Sequence, residues 1–89
     1  MRYIHKNIGT CSRSVSFDID ENERIHNVEF VGGCNGNLKG IAALCEGCKA
    51  QEVAERLYGI QCGFKQTSCP DQLSRAIVEA LSPKEENNV

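Results

Sequence analysis

The chain has 89 residues, six cysteines, no tryptophan and a formal net charge of −2 at pH 7. That is enough for one small domain, and its singly scattered Lys and Arg form no basic stripe for a nucleic-acid surface. No apolar run is long enough for a membrane span or a signal peptide, so a reducing cytosol is expected, where cysteines serve metals or redox chemistry before structural disulfides.

Residues 13–20 alternate, with Val15, Phe17 and Ile19 on one face and Ser14, Ser16 and Asp18 on the other, which is the pattern of a half-buried strand. Glu21 to Arg24 reads as a solvated turn. Residues 25–31 return as a second strand, with Val28 and Phe30 inward and Asn27 and Glu29 outward. Tyr3 to Lys6 is the candidate third strand. After Gly32-Gly33 the period changes. Leu38, Ile41, Ala42 and Cys45 lie on one helical face closed by Gly47, and Ala50, Val53, Ala54 and Leu57 repeat the pattern before Gly59. A third helix is expected from about Pro70 to Leu81, striped by Leu73, Ile77, Ala80 and Leu81. Ser68 or Cys69 would cap it, Pro70 would sit in its first turn and Asp71 against its dipole.

These elements predict an α+β domain over residues 1–82: an antiparallel β-hairpin or three-stranded meander, then three helices packed on one face, with a frayed polar tail over 83–89. At this size apolar burial and ordering entropy nearly cancel, so a metal, disulfides or a partner subunit is expected as a staple. The small sheet would expose edges, which favours a homodimer.

Four cysteines stand in small, turn-forming contexts: Gly9-Thr10-Cys11-Ser12, Gly33-Cys34-Asn35, Gln61-Cys62-Gly63 and Ser68-Cys69-Pro70. A cysteine kept for packing needs apolar neighbours, whereas one that presents its sulfur needs backbone freedom and nearby N–H donors. Cys11 precedes the first hairpin strand and Cys34 follows the second, so hairpin geometry sets them side by side. Cys34 and Cys69 also open helices. Cys11, Cys34, Cys62 and Cys69 are therefore candidate metal ligands, and zinc is the natural ion for clustered thiolates. No two of them form the C-x-x-C pair of a zinc ribbon, so two other readings stand beside it. In one, Cys69 is a redox thiol with Cys62 or Cys34 as its resolving partner, a role that Asp71 would oppose by raising the thiol's pKa. In the other, the cysteines pack tight turns.

Cys45-Glu46-Gly47-Cys48 is a C-x-x-C at a helix end, the wrong end for dipole activation, and reads as packing. Gly33, Asn35, Gly36 and Asn37 are candidate anion or nucleotide contacts at a helix start, without the Gly-Lys-Ser/Thr ending of a phosphate loop. His5 and His26 are isolated, and surface or packing roles are expected for both.

Thr67-Ser68-Cys69-Pro70-Asp71, continued by Gln72-Leu73, together with Gly9-Thr10-Cys11-Ser12, Gly32 to Asn37 and Cys62-Gly63, resembles the TSCPD-domain family in its short, stand-alone branch, which is ribonucleoside-diphosphate reductase-like. A similar domain ends adenosylcobalamin-dependent ribonucleotide reductases. The resemblance implies oxidoreductase activity, nucleotide binding, deoxynucleotide supply for DNA synthesis and four recurrent cysteines at Cys11, Cys34, Cys62 and Cys69. A chain this short cannot hold a radical-sheltering barrel, a substrate pocket and a cobalamin site. The expected role is accessory: a docking module beside a reductase catalytic subunit, a thiol donor to it, or a nucleotide-effector module.

Overall fold

The computed structural model describes residues 2–33 and 35–82; Cys34 and the expected tail over 83–89 lie outside the described residues. The element order is β1 (Arg2–Lys6), β2 (Ser12–Ile19), β3 (Ile25–Gly32), α1 (Asn35–Cys45), α2 (Ala50–Leu57) and α3 (Cys69–Leu81). The strands form one antiparallel meander in the order β1-β2-β3, so the three-strand form of the expectation holds.

Alternation along β2 puts Val15, Phe17 and Ile19 on the core face, as the period of two requires. Tyr3, opposite Phe17 on β1, stacks on it with ring centroids 5.7 Å apart. Strand β3 needs one adjustment. Ser16 faces Glu29 while Asp18 faces His26, so β3 carries an extra residue there. Asn27 absorbs it with φ +55°, a left-handed conformation that asparagine tolerates better than most residues. The bulge lets Ile25 and Val28 both reach the core although they are three apart.

One core results, lined from the sheet by Val15, Phe17, Ile19, Ile25 and Val28 and from the helices by Cys45, Ala50, Val53, Leu73 and Ile77. Phe17, Ile25, Leu73 and Ile77 are fully buried, at roughly 1.5–3 kcal/mol each in transfer free energy. Helix α1 packs on β3, α3 on β1 and β2, and α2 on α3. The connection from α1 to α2 is laced to the start of β3: Gly47 N–H donates to Ile25 O at 2.8 Å, and Ile25 N–H donates to Cys48 O at 2.9 Å. Those bonds occupy backbone groups that an edge strand would otherwise leave open. No helix of the described residues is long and apolar enough to cross a membrane.

His26 is not isolated, contrary to expectation. Its Nε2 lies 2.7 Å from Asp20 Oδ2 and its Nδ1 lies 2.6 Å from Glu46 Oε2. Ionised carboxylates only accept, so this arrangement on both ring nitrogens favours the imidazolium form. The bond to Asp20, then that to Glu46, raises the pKa of His26 against the opposing effect of desolvation. Asp20 is lowered, first by the Arg24 backbone N–H and then by His26. Glu46 is lowered first by the Asn27 backbone N–H. The clamp ties the β2–β3 turn and the start of β3 to the residue after α1.

A raised imidazole pKa stabilises the fold below the unfolded value near 6.5, and that stabilisation is lost as pH climbs through the folded value. The lowered carboxylates act oppositely: their contribution is present above ordinary carboxylate values and lost in acid. Thermal denaturation from about pH 5 to 9 is therefore expected to show a melting temperature that falls on the alkaline side. His26→Gln should flatten that alkaline limb.

Candidate cysteine centre

The N-terminus of α3 shows what each residue of Thr67-Ser68-Cys69-Pro70-Asp71 does. Ser68 is the N-cap, with extended backbone, and its Oγ accepts from Asp71 N–H at 3.1 Å. The same hydroxyl donates to Ile60 O at 2.6 Å, fastening the loop that leads in. Pro70 stands in the first turn, where its missing N–H leaves no bond unmade. Asp71, fully buried, accepts from Gly59 N–H at 2.7 Å, from the Thr67 hydroxyl, and from Arg75 Nε at 2.9 Å. Burial alone would raise its pKa, and the bonds from Thr67, Gly59 and Arg75 hold it below the usual carboxylate range. Gln72 completes the set: its amide donates to Thr67 Oγ1 at 3.0 Å, and its Oε1 accepts from Ile8 N–H at 3.2 Å.

Held this way, α3 brings Cys69 against the start of β2. Cys69 Sγ lies 2.9 Å from Ser12 Oγ and 3.9 Å from Cys11 Sγ. Cys69 is 7% exposed, whereas Cys11 is open to solvent. Burial opposes ionisation of Cys69. The Ser12 hydroxyl and backbone, the Thr10 hydroxyl and the Cys11 thiol outweigh it, and the pKa is lowered. The expectation that Asp71 would hold this thiol up is thereby corrected. The carboxylate is spent on Gly59, Thr67 and Arg75, and the sulfur answers to hydroxyl donors from β2 instead.

The other candidates fall as follows. Gly33 takes φ +82°, and a Cβ there would stand 3.2 Å from Cys11 Sγ and 2.9 Å from Leu38 Cδ1. Only glycine lets the chain leave β3 so close to that sulfur, and Cys34, the next residue, lies outside the described residues. Cys62 is exposed in the loop before α3, where its backbone N–H donates to Thr67 O at 3.2 Å. The chain thus runs Cys62 back beside the residue two before Cys69. Among the described cysteines, the one that the structure sets against Cys69 is Cys11, rather than the Cys62 expected for a redox pair; the other expected partner, Cys34, lies outside the described residues. Gly36 and Asn37 lie in the first turn of α1 itself, with Asn35 as its first residue, not in a loop ahead of it.

Cys45 is 5% exposed in the core. Burial first, then the charge of Cys48, pushes its thiol up to about 11. Cys48 Sγ donates to Leu44 O at 3.3 Å. Both bear out packing over chemistry.

Sequence reasoning assigned no role to Asn7, Thr10, Ser12 or Gln72. Their signal was faint but present: small or amide side chains near Cys11 and Cys69.

The Cys11–Cys69 separation suits a shared metal. With Zn–S bonds of about 2.3 Å, two sulfurs of one tetrahedral zinc lie about 3.8 Å apart. Among the described residues, no group of three or more His, Cys, Asp or Glu side chains is arranged to hold a metal. Beside the pole, Ile8, Gly9, Lys65, Thr67, Gln72 and Arg75 line an open basin of about 510 Å³. Phe64 is fully exposed and Ile60 is 42% exposed.

Asp71→Ala removes the acceptor for Gly59, Thr67 and Arg75. Losing three hydrogen bonds to one buried carboxylate should cost about 1–3 kcal/mol in urea denaturation. Limited proteolysis should then cut first within residues 59–67, with α3 retained.

No curated protein and no solved structure matches the chain. The TSCPD domain model matches residues 1–81, which takes in all three strands, all three helices and the cysteine pole. The chain belongs to the TSCPD domain family.

Proposed function

We propose that the chain is a non-catalytic accessory domain of ribonucleotide reduction whose cysteine pole, Cys11, Cys34, Cys62 and Cys69, binds one zinc ion. The observation that carries the metal half is the 3.9 Å between Cys11 Sγ and Cys69 Sγ, one edge of a zinc–thiolate tetrahedron. The backbone around the pair is consistent with this: a Cβ at Gly33 would stand 3.2 Å from Cys11 Sγ, and the Cys62 N–H is bonded to Thr67 O. The reductase half rests on the family resemblance and on chain length: 89 residues leave no room for a catalytic barrel. A closed four-thiolate zinc would be structural, joining β2, the exit of β3 and the loop ahead of α3. Exposed Phe64 and Ile60 beside the pole suit a surface that docks on a larger subunit in the cytosol.

A second reading has its own support. Cys69 is buried, lowered in pKa and in contact with exposed Cys11, which is the asymmetry of a thiol pair. Closing that pair into a disulfide would release two electrons and two protons to a reductase disulfide.

Elemental analysis of untagged protein separates the two. The metal reading expects one zinc per chain, and a large fall in melting temperature on chelation, since such ions contribute on the order of 10–16 kcal/mol to folding. Fully folded, metal-free protein with a reversible Cys11–Cys69 disulfide would replace it with the second reading.

A further inference from the structure

The open basin at the start of α3 is built from three segments that lie far apart in the chain. Ile8 and Gly9 come from the loop after β1, Lys65 and Thr67 from the loop before α3, and Gln72 and Arg75 from α3 itself. Gln72, only 6% exposed, ties the three together: its amide donates to Thr67 Oγ1 at 3.0 Å and its Oε1 accepts from Ile8 N–H at 3.2 Å. Gly9 takes φ +78°, and a Cβ there would stand 3.2 Å from Thr67 Cγ2, so glycine lets the two loops approach. The basin measures about 510 Å³, within the range of small-molecule sites.

Its charge is one-sided. Among the described residues that line it, Lys65 and Arg75 are cationic and none is Asp or Glu, on a chain whose formal net charge is −2. Asp71 is fully buried and is not part of the lining. It acts on the basin through Arg75, whose Nε donates to Asp71 Oδ2 at 2.9 Å. Asp71 Oδ1 is occupied by Gly59 N–H, so this bond uses one donor of the guanidinium and leaves those of its terminal nitrogens. The guanidinium carbon also lies 5.1 Å from the centre of the Tyr58 ring, which holds the plane from a second side. Arg75 is still 47% exposed, so it is fixed without being hidden.

A guanidinium held in this way pairs with phosphate oxygens through parallel N–H bonds, and a lysine adds a compact second charge. Two cations balance one phosphate dianion, whereas a carboxylate would leave one of them unanswered. The volume exceeds what a phosphoryl group fills, and Ile8, 74% exposed, offers an apolar wall to whatever the phosphate carries. We propose that this basin is a binding site for a small phosphate monoester, with Arg75 and Lys65 on the phosphoryl oxygens and the organic part against Ile8. The site uses none of the cysteines, so it stands apart from either reading of the cysteine pole.

The test is an NMR titration of the full chain as purified, with inorganic phosphate and with phenyl phosphate at constant ionic strength and with acetate as the control anion. The Arg75 Nε–H and the Gly9 and Thr67 amides are the resonances to follow. Both phosphates should give saturable shifts there, with phenyl phosphate the tighter of the two. Lys65→Gln, at an exposed loop position, and Arg75→Gln should each weaken binding roughly 10–100-fold, the loss of one charge-assisted hydrogen bond. Arg75→Gln also strips Asp71 of a partner, so Lys65→Gln decides where Arg75→Gln does not fold by circular dichroism. Shifts that do not saturate, or that acetate reproduces, would reduce the basin to screened surface charge and overturn the proposal. Wild-type affinity in Lys65→Gln would overturn it too. Phenyl phosphate binding no tighter than inorganic phosphate would overturn the assignment of an ester.

Discussion

The docking of α3 by its first turn on the start of β2 is the contact on which the rest of the molecule depends. Two kinds of interaction make it, and they do different work. Leu73 and Ile77, fully buried one and two turns into the helix, supply most of the favourable free energy, at roughly 1.5–3 kcal/mol each. The polar contacts net only about 1 kcal/mol apiece. Yet apolar burial is non-directional and would tolerate a small slide of the helix along the sheet. Ser68 at the cap, Gln72 on Ile8 and Cys69 on Ser12 do not tolerate it, because hydrogen bonds fail within a few tenths of an ångström.

The same turn organises the loop from α2. Asp71 gathers Gly59, Thr67 and Arg75 around one carboxylate, and Ser68 fastens Ile60. A loop of this length would otherwise move freely. Anchored at both ends of its course, it carries Cys62, Ile60 and Phe64 exposed ahead of α3. The described part of the pole is therefore assembled from β2 and α3, with Gly33 at the exit of β3 close to Cys11. Its two described neighbours, Cys11 and Cys69, are unlike each other: one thiol faces solvent, the other is buried among donors.

Much of the fold was legible because periodic burial leaves a periodic trace. Val15, Phe17 and Ile19 marked β2, and Leu73 and Ile77 marked α3, since each element has one core-facing side. The start of α3 was legible too, because capping by Ser68 and the placement of Pro70 and Asp71 are local events. The bulge at Asn27 was not, for one left-handed residue hides inside an otherwise regular strand. The clamp on His26 escaped as well. Its partners Asp20 and Glu46 stand 6 and 20 residues away and share no pattern with it. For the cysteines, type and turn context were visible, and the identity of the neighbour was not: Cys11 meets Cys69 across 58 positions of chain.

What the sequence by itself determined is whatever a residue decides with its near neighbours: strand and helix periods, helix caps, and glycines where φ must be positive. Those are short-range energies, summed along the chain. What only the tertiary structure decided is which polar groups meet: Ser12 with Cys69, Asp71 with Gly59, His26 between two carboxylates. Such pairs depend on how strands and helices pack in three dimensions, and hydrogen bonds act over ångströms of space rather than positions of sequence. The packing of α3 on the sheet set that geometry, and with it which cysteine stands beside which.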